Sequence, residues 1–228
     1  MENKFRSATA FSLLPNFSLN EIDKIKDFTF NPINSHEGYI FSNLSENNNN
    51  FHFQYLRKVP VTYGEYNEGF IKKKGEILKE TSFEIDLKNK IILVFAGKAQ
   101  SNFFIRKFTS HFGLFTSSFK FDFSQKIGFL TDSQFIIRSE QVVINGFTYK
   151  ELMVGRYIAN IKHIELFKKV LNKYGNNIEK IKISIEDDYG NIFRVKIDKN
   201  GTFSFGKSRE ENANILNFLI SKMLNGDL

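Results

Sequence analysis

Strict alternation is the feature that leaves this chain least freedom. Ile181-Lys182-Ile183-Ser184-Ile185 is followed by Phe193-Arg194-Val195-Lys196-Ile197, and then by Phe203-Ser204-Phe205. Apolar side chains at every second residue put one face of a strand on a core and the other in water. Asp187-Asp188-Tyr189-Gly190-Asn191 separates the first two runs, and Asn200-Gly201 separates the last two. Asn-Gly is the pair that a two-residue hairpin favours. Three consecutive antiparallel strands are therefore predicted. A sheet with one wet face needs a cover on the other. Ile215, Leu216, Leu219, Ile220 and Met223 supply a helical stripe directly afterwards, and Ser208-Arg209-Glu210-Glu211 before it reads as a capping box.

The rest of the chain follows the same grammar. Ser18-Leu19-Asn20-Glu21 is a second capping box, ahead of Ile22, Ile25 and Phe28 at helical spacing. Tyr39 to Phe41 and Phe51 to Val59 read as strands about a polar hairpin tip, Glu46 to Asn50. Pro60 ends the second strand or marks an edge, and Val61 to Gly75 reads as a long hairpin arm or loop. Ile77 to Leu87 alternates, Lys88-Asn89-Lys90 turns, and Ile91 to Phe95 is apolar enough for burial on both faces. Phe104, Ile105, Phe108 and Phe112 share a helical face, with Gly113 placed as a left-handed cap. Phe119, Phe121 and Phe123 alternate as a strand. Phe135 to Ile137, Val142 to Ile144 and Met153 to Ile158 are further strands, with Asn145-Gly146 as a turn. Ile161, Ile164, Phe167, Val170, Leu171 and Tyr174 repeat as a helix between Asn160, its cap, and Gly175.

The expected fold is α+β, antiparallel sheets with helices packed on one face, in two sub-domains covering residues 1–115 and 116–228. The halves end alike. Ile85-Asp86-Leu87-Lys88-Asn89 precedes a strand, Gly97-Lys98 and a helix; Ile197-Asp198-Lys199-Asn200 precedes a strand, Gly206-Lys207 and a helix. Read as a duplication, each half is an α-β-β-β-α unit and the pair is saddle-like.

Several chemistries are excluded or disfavoured. With no Cys among 228 residues there is no disulfide framework, thiolate metal site or cysteine nucleophile. No run of eighteen apolar residues occurs, and the apolar stretch near the N-terminus is broken by Pro15, so a cytoplasmic protein is expected. Gly97-Lys98 lacks the phosphate-loop pattern, since position 92 is Ile and position 99 is Ala. His36, His52, His111 and His163 are too far apart in sequence for a helical metal pair, and Glu186, Asp187 and Asp188 flank a tight turn. No cofactor and no metal are expected. Glu84, Asp86 and Lys88 alternate as a nuclease's charges would, but so does the wet face of any strand.

On charge alone, general solubility is favoured over a polyanion partner. Thirty-two basic against twenty-five acidic residues give +7, but only seven of the thirty-two are Arg. Lys acts as a point charge, without the planar fork that reads base edges. The segment with most character is Arg57 to Lys79. Arg57, Lys58, Lys72, Lys73 and Lys74 are interleaved there with Tyr63 and Tyr66, cations for phosphates and rings for unpaired bases. These seven are the candidate binding residues of a non-enzymatic nucleic-acid-binding protein with weak sequence preference, on its own or as a subunit of a nucleic-acid-handling assembly. A mobile hairpin whose lysines guard an exposed edge would have the same composition. The alternative is a protein-interaction subunit or homo-oligomer, because 27 Phe in 228 residues are many for a small two-lobed chain to bury. A metal-dependent nuclease ranks below both.

Overall fold

The computed structural model describes residues 5–45, 50–66, 70–114, 116–121, 123, 136–149, 153–161, 163–209 and 211–224. Its elements are β1 (Phe5–Leu13), α1 (Leu19–Asp27), β2 (Glu37–Ser45), β3 (Asn50–Tyr66), β4 (Phe70–Asp86), β5 (Ile91–Val94), α2 (Lys98–Phe112), β6 (Thr116–Ser118), β7 (Ile136–Tyr149), β8 (Met153–Asn160), α3 (Ile164–Tyr174), β9 (Ile178–Glu186), β10 (Ile192–Asp198), β11 (Thr202–Arg209) and α4 (Asn212–Leu224). The fold is α+β, antiparallel β-sheet carrying helices on one face. By contacts it divides into two units. One is Ser12–Phe95 with Ala99–Thr116; the other is Met1–Phe11, Ala96–Lys98 and Ser117–Leu228.

In the first unit the strand order is β2-β3-β4-β5. Phe53 lies opposite both Phe41 and Phe83, and Tyr39 opposite Tyr55, so one face becomes a floor of rings. Phe53 and Phe83 stack at 5.3 Å, and Phe104 of α2 tilts onto Phe83 at 4.6 Å. α1 covers the same face. Lys26 lies 5.0 Å over Phe41, Phe28 packs on Tyr39, and Ile22 and Ile25 are fully buried. Here the capping box forms as predicted, with the Ser18 N–H donating to Glu21 Oε2 at 2.9 Å. Gly113 takes φ +65° and donates to Thr109 O at 2.9 Å, closing α2.

In the second unit the order is β1-β11-β10-β9-β7-β8. The predicted meander is present, and Ile181, Ile197, Phe203 and Ala8 stand in one row across four strands. Gly201 turns at φ +78°, and a Cβ there would meet Ala10 O at 2.9 Å, so only glycine fits. The opposite face presents Lys182, Arg194 and Lys196 to solvent or half-buried. The buried stripes of α3 (Phe167, Leu171) and α4 (Ile215, Leu216, Leu219) are therefore left to the isoleucine face.

The structure corrects several expectations. Residues 5–13 carry no strand expectation, since Ala8 and Ala10 give a weak apolar signal, yet they form β1, paired with β11. Asn145-Gly146 lies inside β7, where Gly146 at φ +67° makes a bulge against β8 rather than a turn. The strand near Phe119 is only Thr116–Ser118; Phe121 and Phe123 are buried outside it, and the Phe121 N–H donates to Lys199 O at 2.8 Å. α3 begins after His163, not Asn160, and Gly175 is right-handed and opens a single 3₁₀ turn. Ser208 belongs to β11, and α4 starts at Asn212. Gly206-Lys207 is likewise within β11, whereas Gly97 precedes a helix. Four strands separate α1 from α2 but three separate α3 from α4, so a duplicated α-β-β-β-α unit is not established. The hairpin tip at 46–49 and the strand start at Phe135 lie outside the described residues.

Candidate nucleic-acid interface

The Arg57-to-Lys79 segment is built by the longest hairpin in the described chain. β3 and β4 are 17 residues each and pair from Asn50 opposite Asp86 to Tyr66 opposite Phe70. β2 accompanies β3 only as far as Arg57, and β5 accompanies β4 only along Phe83–Asp86. Beyond Lys58, whose N–H donates to His36 O at 2.8 Å, no other described strand pairs with either of the two. Nine residues of strand, Lys58 to Tyr66, reach about 30 Å at ~3.4 Å per residue.

The local sequence explains why this arm is strand and not loop. Val59, Val61, Thr62, Tyr63 and Tyr66 favour extended backbone. Pro60 lacks a donor, and an unpaired edge is where a strand tolerates that. Gly75 would be a weak point, but the Tyr63 ring lies over it, with Cε1 only 3.0 Å from where a Cβ would stand. The root is fastened to α2. The Arg57 guanidinium lies 3.9 Å over the Phe103 ring. Beside it Glu37 accepts from the Tyr55 hydroxyl, from Lys107 Nζ at 3.0 Å and from His111 Nε2 at 2.9 Å. His111 Nδ1 lies 2.9 Å from the Tyr39 hydroxyl. Burial raises the Glu37 carboxyl, but the bonds from Tyr55, Lys107 and His111 outweigh it and hold the group at about 2.

Period two sorts the seven candidate residues onto opposite faces. Arg57, Tyr63 and Lys73 share the helix-side face, where Lys73 pairs with Glu65. Lys58, Tyr66, Lys72 and Lys74 share the other. Arg57 is a root clamp, and Tyr63 is partly engaged with Gly75. Lys58, Lys72 and Lys74 pair with no carboxylate among the described residues, and Tyr66 is 85% exposed. Lys72 and Lys74 stand about 7 Å apart along the strand. Glu76 is the one described carboxylate on this face between Lys58 and the tip. The Glu37 network had no sequence signal, because Lys107 and His111 lie 70 and 74 residues from Glu37.

The wet face of the second unit is also charged, but it is largely neutralised. Glu140, bulged out of β7 between Ser139 and Gln141, takes Lys182 at 2.5 Å and Arg194 at 3.3 Å; Glu186 takes Arg138 and Asp198 takes Lys180.

Of the carboxylates weighed for nuclease chemistry, Glu84 is 5% exposed, Asp86 is tied to Asn89 at 2.6 Å, and Lys88 lies in the turn beyond. Among the described residues no three His, Asp or Glu side chains are placed to hold a metal ion, and no helix is long and apolar enough to cross a membrane. Burial pushes Glu84 up to about 7, with Asp86 adding to it and the Asn50 amide at 2.7 Å opposing. His52, 3.4 Å away, is lowered by burial, so this contact is not a standing ion pair near neutrality. A carboxyl raised in the folded state stabilises below its unfolded value near 4.5 and costs stability as pH rises from there to about 7. Glu84→Gln should therefore raise the unfolding free energy at pH 8 by about 1–3 kcal/mol, with no gain at pH 4. Urea denaturation at the two pH values checks it, and an equal effect at both would refute the account.

The chain matches no protein-family model and no curated protein.

Proposed function

We propose that this is a cytoplasmic, non-enzymatic nucleic-acid-binding protein that engages DNA or RNA through the β3–β4 ribbon, with little sequence preference. The observation that carries this reading is the far face of the ribbon, where Lys58, Lys72 and Lys74 have no carboxylate partner among the described residues and lie beside the exposed Tyr66. A two-stranded ribbon fits the major groove of duplex DNA. Lysines neutralise phosphates without reading bases, and an exposed tyrosine offers a stacking platform to unpaired bases.

A salt titration tests it. Lys72→Ala with Lys74→Ala should flatten the slope of log affinity against log salt by about 1.8 on duplex and about 1.4 on single strands, two contacts' worth. Lys73→Ala, on the opposite face and paired with Glu65, should leave the slope unchanged. A double variant with the wild-type slope rules out this face as the contact surface.

A second reading has its own observation. Ile77 and Leu78 are 44% and 55% exposed on a ribbon whose outer edges are unpaired, and such edges accept a strand from another chain. Failure to bind any nucleic acid at low salt, together with self-association in sedimentation, would favour it.

A further inference from the structure

A hollow in the second unit carries charge that the fold itself does not use. Its volume is about 300 Å³, and its lining includes Ile192, Phe193, Arg194, Lys207, Arg209 and Asn212. Three of these are cationic, and none is acidic.

The hollow is built by a fork in the sheet. β10 and β11 stay in register only as far as Val195 opposite Phe205. On its other side β11 bulges: β1 advances from Phe5 to Ser7 while β11 runs from Arg209 to Ser204. Gly206, Lys207 and Ser208 thus fall outside both ladders, and bulges of this kind re-aim side chains. Asn212, 1% exposed, braces the bulge from behind. Its Nδ2 donates to Phe5 O and to Lys207 O, each at 2.8 Å. Arg209 is held with its guanidinium 5.4 Å over the Phe193 ring. Arg194 gives its Nε to Glu140 at 3.3 Å, while Lys207 and Arg209 meet no carboxylate among the described residues. Three cationic residues around one concavity, with no acidic residue in its lining, raise the positive potential there. Set against Glu140, they leave a surplus of two positive charges. A phosphate monoester carries about −1.5 to −2 at neutral pH, and a guanidinium fork matches its oxygens. A cavity near 300 Å³ is at the small end of ligand sites.

We propose that this hollow binds the phosphate monoester of a ligand of about one nucleotide's size, with Lys207, Arg209 and Arg194 on the phosphate and Ile192, 52% exposed, against its apolar body. The ligand is either a free mononucleotide or the 5′-phosphorylated end of a strand. The site shares no residue with the ribbon, so it stands or falls on its own.

Calorimetric titration of the full chain with adenosine 5′-monophosphate is the test, with adenosine as the phosphate-free control. The nucleotide should bind one to one and adenosine should not. Lys207→Gln and Arg209→Gln should each weaken binding at least about tenfold without lowering the melting temperature, whereas Lys196→Gln, outside the hollow, should not change it. A 5′-phosphorylated oligonucleotide that displaces the nucleotide, when its 5′-hydroxyl counterpart does not, assigns the site to strand ends. Displacement by neither assigns it to the free nucleotide. Adenosine binding as tightly as the nucleotide, no nucleotide binding at all, or unchanged affinity in a folded Lys207→Gln/Arg209→Gln variant overturns the proposal.

Discussion

Excising the distal ribbon, with residues 60–76 replaced by Asn-Gly, is expected to weaken nucleic-acid binding at least about a hundredfold while shifting unfolding by no more than about 1 kcal/mol. Val59 and Ile77 are directly opposed, so the shortened strands keep their register, and Asn-Gly supplies the turn. The deleted span removes Lys72, Lys74 and Tyr66 of the binding face. The lost stack costs about 1–3 kcal/mol, and lost phosphate contacts add to that at low salt. Stability should hold because none of the described side chains in the deleted span is buried, and exposed positions rarely matter by more than a few tenths of a kcal/mol. Thermal unfolding and oligonucleotide titration on the same preparation read both numbers. Intact binding without the arm sinks the proposed function; a collapse in stability would show that the arm belongs to the fold.

Phe83→Ala should cost about 3–5 kcal/mol of unfolding free energy. Phe83 is 1% exposed and lies between the stacked Phe53 ring and Phe104, with Tyr39 and Phe108 edge-on. Removing it opens a void that four rings on three other elements cannot all close. Denaturant midpoints at constant slope give the value, and a loss below about 1 kcal/mol would mean that the ring floor is not the core of this unit. That is a large fraction of the stability at stake, since typical domains hold about 5–15 kcal/mol in all.

Where local chemistry and burial agree, the sequence was readable. The Ile181–Phe205 meander, the Ser18–Glu21 box, the α2 ring face and Gly113 follow from period, capping and the left-handed glycine conformation. Failures cluster where one residue pattern serves two geometries. Asn145-Gly146 suits a turn and a bulge equally, because both need a positive φ. Ser208-Arg209-Glu210-Glu211 satisfies a capping pattern, but pairing of Phe5 with Arg209 keeps Ser208 in the strand. The arm's existence was visible in its residues, but its division into two faces depended on register, and one residue of register moves every side chain across. The cation-lined hollow had no linear signal. It needs Arg194 from one strand, Lys207 and Arg209 from the next, and a fork between them that no spacing rule encodes.

The reach of the ribbon changes what the net charge of +7 means. At physiological salt the Debye length is about 8 Å, and the arm extends more than three of these lengths beyond Lys58. Its far end, where Tyr66 faces Phe70, is screened from the charges at its root. The field met near the arm is then set by its own charges, Lys72, Lys73 and Lys74 with Glu65, Glu68 and Glu76, so neutralising distant surface lysines should alter the isoelectric point far more than the association rate.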